Sequence, residues 1–197
     1  MKNILYINAC IKREVDSRTN RLAQAYLKRS LEAQNGSLSV VNLEETVMHP
    51  LTGKSLAERE KAIAENDFSS ASFDLARNFA AADEVVIAVP YWDMSFPASL
   101  KLYIEQLCVN KLTFCYNEMG VPSGLTNIKK VVYLTTSGGY IGNNNFGFDY
   151  IKALFTTLFG VDDIKFFSVE GLDICGNDPE KILAAAIEKM YQSLSFS

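Results

Sequence analysis

The sequence predicts an α/β fold, a doubly wound five-stranded parallel sheet with helices on both faces, formed as a single domain over residues 1–197. Three observations carry that expectation. Short apolar runs alternate five times with segments of helical periodicity, which is the rhythm of repeated β/α units. No internal repeat or low-complexity tract interrupts the alternation. A chain of 197 residues with 48% hydrophobic content is long enough for one sizeable core and short for two.

ILYIN (Ile4 to Asn8) reads as the first strand, followed by a helix from about Arg18 to Glu32 whose cap is Ser17 or Thr19, both preferred there because a side-chain oxygen satisfies a free helix amide. LSVVNL (Leu38 to Leu43) is the second strand. Lys54 to Ala82 carries one or two helices, with AENDFSSAS as the break and Leu56, Ile63, Phe73, Leu75 and Phe79 as candidates for burial. VVIAVP (Val85 to Pro90) is apolar throughout and is expected to be the most deeply buried strand, with a helix from about Ala98 to Cys108 after it. VVYLTTSGG (Val131 to Gly139) is a strand ending in a Ser-Gly-Gly loop, Phe146 to Phe159 is helical, and IKFFSVEGL (Ile164 to Leu172) is the fifth strand. Asn177-Asp178-Pro179 starts a closing helix that runs to about Leu194.

Composition narrows the function. With 19 basic and 23 acidic residues the net charge is -4, and no Lys/Arg cluster tracks a phosphate backbone, so nucleic acid and anionic membranes are not expected partners. No apolar run approaches the roughly 20 residues that span a bilayer. The four cysteines form no CxxC pair and the N-terminus lacks a signal-peptide pattern, which points to a reducing cytoplasm. His49 is the single histidine, so neither a metal site nor a Ser-His-Asp triad is expected. Side chains alone offer little chemistry, and a borrowed cofactor is the natural inference.

In open parallel sheets, ligands collect at the carboxyl ends of the strands where strand order reverses. Three loops expected at those ends are unusual. NACIKREVDSRTNRL supplies a helix start with two hydroxyls and Arg18, which suits a phosphate monoester, although Ser and Thr are also ordinary caps. It is not a Walker loop, since no glycine precedes Gly36, and it is not a Cys-x5-Arg phosphatase loop, since Asp16 stands where the arginine belongs. PYWDMSFPASLK presents Tyr91 and Trp92, either as packing or as the wall of a flat ligand. TTSGGY (Thr135 to Tyr140) has glycines that let backbone approach a planar group, or simply turn.

Together with LTFCYNEMGVPSGL, these loops in this order resemble the flavodoxin-like NAD(P)H:quinone reductases, and among them the FMN-dependent NADH-azoreductases. The resemblance spans nearly the whole chain. Its specific parts are Ser17-Arg18-Thr19-Asn20, the proline spacing that ends at Lys101, and Thr113 to Leu125. It implies a flavodoxin-like fold and bound FMN, with Cys10, Ser17, Arg18 and Thr19 toward the phosphate. Pro90, Tyr91, Trp92, Asp93 and Met94 would border the ring, and Ser137, Gly138, Gly139 and Tyr140 would approach its pyrimidine side. Trp92 and Tyr116 would position substrates. It also implies NADH or NADPH as donor, a quinone or azo compound as acceptor, a ping-pong cycle and a homodimer. The sequence departs from the pattern at Ala9 and Cys10, where some relatives have Ser, and near Asp93 and Ser137, where some have Asn and Arg.

Three other readings stay open at this stage: a flavodoxin-type electron carrier without enzymatic activity, an NADPH-dependent FMN reductase that releases its flavin, and a doubly wound domain with no flavin that serves in regulation. The segment Thr113 to Leu125 lies outside the minimal five units and is rich in aromatic residues. It is expected either to reach across a two-fold interface, with Tyr116 over the partner's flavin, or to finish a local hairpin.

Overall fold

The computed structural model describes residues 2–12 and 16–194. Five parallel strands form the central sheet: β1 (Asn3–Asn8), β2 (Ser37–Asn42), β3 (Glu84–Ala88), β6 (Lys130–Thr136) and β7 (Ile164–Val169), in the order β2-β1-β3-β6-β7. The predicted sheet is therefore the observed one. Every residue of β3 is buried, as a central parallel strand covered on both faces requires. The order reverses between β1 and β3, which leaves a crevice where these two strands end.

Predicted strand ends run past the observed ones for a local reason. Beyond Ala88 the chain still bonds to β6, through Val89 N to Leu134 O (3.0 Å) and Tyr91 N to Thr136 O (3.0 Å). On the other side, β1 contributes only Ala9 N to Ala88 O before turning away. An apolar run does not record where one of its two neighbours leaves.

Helices α1 (Arg18–Gln34) and α6 (Pro179–Ser193) cover one face, packing Leu22, Tyr26, Leu27, Leu183 and Met190 on Ile4, Tyr6, Val86, Val132 and Leu134. Helices α3 (Asp74–Ala81), α4 (Ala98–Leu107) and α5 (Phe146–Leu154, extended by a π-helical turn over Phe155–Phe159) cover the other, on Leu5, Ile7, Val85, Ile87, Val131 and Tyr133. The alternation of strand side chains thus feeds two separate cores. Asp178 caps α6 through the amides of Glu180 and Lys181, with Pro179 at the first helical position. Asn177 instead donates to Gly171 O at 2.6 Å.

The segment between β2 and β3 resolves into two helices, α2 (Gly53–Glu65) and α3, joined through a short 3-10 turn, with the break where it is expected. Phe73 and Phe79 are buried and Ile63 and Leu75 half-buried, but Leu56 is exposed. The correction has a physical cause: α2 has no fully buried residue. It rests on the domain by one edge, through Ala62 and Ile63 on the Phe73–Val109 cluster and Arg59 on the Glu105 carbonyl.

Thr113 to Leu125 forms a local antiparallel hairpin of β4 (Phe114–Tyr116) and β5 (Pro122–Gly124). Its base is seated on the π-helical turn so closely that a Cβ on Gly124 would stand 2.0 Å from Phe159 O, so glycine alone fits there. At the opposite end of the sheet from the crevice, the fully buried Glu84 accepts from Tyr26 Oη (2.6 Å) and pairs with Lys2 Nζ (2.9 Å). Burial lowers the Lys130 pKa beside it despite that carboxylate. A buried charge persists there because it is paired. Among the described residues no helix is long and apolar enough to cross a membrane.

Candidate functional site

The crevice at the reversal of strand order holds a cavity of about 300 Å³, a volume typical of small-molecule sites. Three of the unusual loops converge on it. Cys10, Ser17, Arg18, Thr19, Pro90, Tyr91, Trp92, Ser137 and Gly138, all singled out from the sequence, line it.

One wall is the start of α1. Ser17 is the N-cap, in extended backbone, and its Oγ accepts from Asn20 N at 3.2 Å, while Arg21 N bonds to the Ser17 carbonyl. The amides of Arg18 and Thr19 precede those two and have no carbonyl within the helix to reach, the property that suits a helix start to an anion. Ser17 is 5% exposed, and its hydroxyl, besides accepting from the helix, lies within hydrogen-bonding reach of the Cys10 thiol. Thr19 is not a cap: it is buried with its Oγ1 2.6 Å from that of Thr136, which ties α1 to the end of β6. Arg18 donates to Leu172 O (3.2 Å) and pairs with Asp173 Oδ1 (2.8 Å).

Cys10 at the end of β1 is buried, its thiol 3.8 Å from Ala88 O. Desolvation pushes its pKa up to about 11 against the lowering effect of Ser17 and Thr19, so it lines the site as an apolar thiol and not as a nucleophile.

The backbone amides of the loop after β3 are already committed. Backbone amides at Tyr91 and Trp92 suggest themselves as ligand donors, but Tyr91 N is taken by Thr136 O and Trp92 N by Ser95 O (3.1 Å), and Pro90 has none. The loop therefore offers side-chain surface. Trp92 and Ser95 close a two-residue turn, with Ser95 N returning to Trp92 O at 2.7 Å and Asp93 and Met94 both left-handed at φ 50° and 64°. Two positive φ values define the turn type usually filled by Asn-Gly, and each non-glycine residue there costs about 1 kcal/mol. The turn is braced by Tyr91 Oη to Asn144 O (2.7 Å) and Phe146 N to Met94 O (3.2 Å). It carries Asp93 and Met94 onto the exposed rim, outside the cavity lining.

Across the cavity, the 137–139 loop is held by Leu172 N to Ser137 O (3.2 Å), Asp173 N to Gly138 O (2.9 Å) and Gly171 N to Gly139 O (3.0 Å). Gly138 lies against Asp173: a Cβ there would meet Asp173 Oδ2 at 2.5 Å, so that a larger residue would require the carboxylate to move. Gly139 and Tyr140, the latter 77% exposed, stand outside the lining. Tyr116 does too; it is exposed on the hairpin, edge-on to Phe114 with ring centroids 5.4 Å apart.

Sequence reasoning missed Ile11, Lys12, Asp16, Thr136 and Asp173 in the lining. The first four lie in loops that the sequence singles out and were within reach of the same argument. Asp173 was not, because only the fold brings the loop after β7 beside Gly138.

Comparison with known proteins agrees with this fold. Residues 2–194 match a protein family described by its flavodoxin-like fold. An FMN-dependent NADH:quinone oxidoreductase of Clostridium perfringens is 32% identical over 193 residues, covering 96% of each chain. A second, from Clostridium acetobutylicum, is 33% identical over 195 residues with the same coverage. Among solved structures, an azoreductase from Bacillus anthracis superposes with a TM-score of 0.84 at 22% identity, covering 98% of each chain. An FMN-dependent NADH-azoreductase of that organism in complex with FMN gives 0.81 at 22% identity, over 98% of this chain and 97% of the other. At that identity the structural likeness speaks for the fold.

Proposed function

This chain belongs to the flavodoxin-like family that includes the clostridial FMN-dependent NADH:quinone oxidoreductases, and on that premise we propose that it is an FMN-dependent NADH:quinone oxidoreductase that also reduces azo compounds. The observation that carries the reading is the joining, in one cavity at the strand-order reversal, of an anion-ready helix start with an aromatic wall.

The residues present fit FMN. Ser17, Thr19 and the amides at the α1 start would hold the phosphate, with Lys12 and Arg18 supplying positive charge. Cys10 would close the cavity floor as an apolar thiol. Pro90, Tyr91 and Trp92 would border the ring, with Asp93 and Met94 at its rim. Ser137 and Gly138 would face its other edge, where the Ser137 hydroxyl is already committed to Gly139 O at 2.6 Å. Gly139 and Tyr140 would flank the opening.

When bound, FMN supplies two-electron hydride exchange between NADH or NADPH and a quinone or azo acceptor. What the chain contributes is alignment, and the absence of a histidine from the described lining is in keeping with that division. Trp92, 45% exposed at the mouth, is placed to stack donor and acceptor in turn. Among the described residues the three loops border one shared cavity, so alternating, ping-pong use of it is expected.

The apolar hairpin supports a homodimer in which Tyr116 of one subunit covers the acceptor side of the other's site: Met119, Val121 and Leu125 are exposed on it beside Tyr116. The free cysteines suit a reducing cytoplasm, and the acidic balance suits small-molecule partners over nucleic acid. The test is an absorbance spectrum of the purified protein before and after anaerobic NADH, followed by initial rates at varied NADH and quinone. A flavin band bleached by NADH and parallel double-reciprocal lines are expected. A flavin-bound protein that does not oxidise NADH would make it an electron carrier instead.

A further inference from the structure

Asp173, in the loop after β7, shares the cavity with the α1 start. Its backbone position is set by the bond from its amide to Gly138 O at 2.9 Å. Its carboxylate then lies beside Gly138 and accepts from Arg18 at 2.8 Å. A second guanidinium nitrogen of Arg18 donates to Leu172 O. Arg18, the cation at the very start of α1, is thus turned onto the 172–173 loop. Among the described lining residues the two cations, Lys12 and Arg18, are equal in number to the two anions, Asp16 and Asp173, so the formal charges balance. A carboxylate beside a bound phosphate dianion would oppose it with a like charge.

We propose that Asp173 sets the affinity of the site for the phosphate of FMN: it draws Arg18 aside and opposes the dianion with a like charge, which keeps the flavin exchangeable. This rests on the reading of the site as an FMN site. The side chain of Asp173 is 64% exposed and that of Arg18 26%, so the effect is a solvent-screened one of modest size. Asparagine at 173 would keep a hydrogen-bond acceptor for Arg18 and the backbone bond to Gly138 while removing the charge.

The experiment titrates flavin-free, full-length protein with FMN and separately with riboflavin, following flavin fluorescence at low and at physiological salt. Asp173→Asn is expected to bind FMN roughly three- to ten-fold more tightly at low ionic strength, shrinking to about two-fold at 0.15 M salt. Riboflavin, which lacks the phosphate, is expected to bind both proteins alike, and Asp173→Glu is expected to keep wild-type FMN affinity. Wild-type protein that binds both flavins, with FMN bound no more tightly by Asp173→Asn, would overturn the proposal while leaving the FMN site standing. An equal gain for riboflavin would also overturn it, since the effect would then be one of shape. Wild-type protein that binds neither flavin would overturn the FMN reading and this proposal together.

Discussion

Ser17 does two things at once, and substitution can separate them. Its Oγ accepts from Asn20 N at 3.2 Å in a site only 5% exposed, so Ser17→Ala removes an N-cap. That costs about 1 kcal/mol of stability, which for a domain of this size lowers Tm by about 2–4 °C. The same substitution removes a hydroxyl donor to the phosphate, a hydrogen bond to a charged group worth about 1.5–3 kcal/mol, or roughly ten- to a hundred-fold in FMN affinity. Ser17→Asp divides the two roles. Aspartate is as good a cap as serine, so the melting temperature of flavin-free protein should stay near wild type. A carboxylate in this nearly buried position would oppose the phosphate by about 4 kcal/mol for each unit charge at 4 Å, and FMN binding should disappear. The assays are thermal unfolding of the flavin-free protein by circular dichroism and FMN titration by fluorescence. Ser17→Asp protein that retains FMN would refute the assignment of the α1 start as the phosphate end. Ser17→Ala protein with unchanged Tm would refute the cap.

Tyr116→Ala, at an exposed hairpin position, should change stability by less than about 0.5 kcal/mol and leave FMN content and dimer mass unaltered while lowering quinone turnover. Full quinone kinetics in that variant, or a monomer that is fully active in sedimentation and rate assays, would remove the shared-site arrangement. Cys10 should resist iodoacetamide at pH 7–9 while the exposed Cys175 is alkylated, as read by peptide mass spectrometry, because burial holds the Cys10 thiol up to about 11. The same shift predicts pH-dependent stability. Between about 9 and 11 the unfolded chain loses the Cys10 proton and the folded chain keeps it, so stability is intact below 9 and falls as pH rises through that window. Cys10→Ala should flatten this part of a urea-denaturation profile, and an unaltered slope would show that the thiol does not contribute.

The sheet was legible because parallel strands buried on both faces must be apolar along their length, and VVIAVP and VVYLTT say so without any tertiary information. Helix starts were legible because caps are local: Ser17 and Asp178 satisfy amides two or three residues away. From those two facts follows the placing of Ser17, Tyr91, Trp92 and Ser137 at one end of the sheet. Four things were decided only by the fold. Thr19 turned from a possible cap into the partner of Thr136, 117 residues away. The amides of Tyr91 and Trp92 were spent on Thr136 and Ser95, and a left-handed turn moved Asp93 and Met94 to the rim. Leu56 was left exposed because α2 meets the domain along one edge. Asp173 reached Arg18, 155 residues distant. Each of these depends on which neighbour a backbone or side-chain group meets across the sheet. Periodicity and capping record only what a residue meets within its own turn of helix or its own strand.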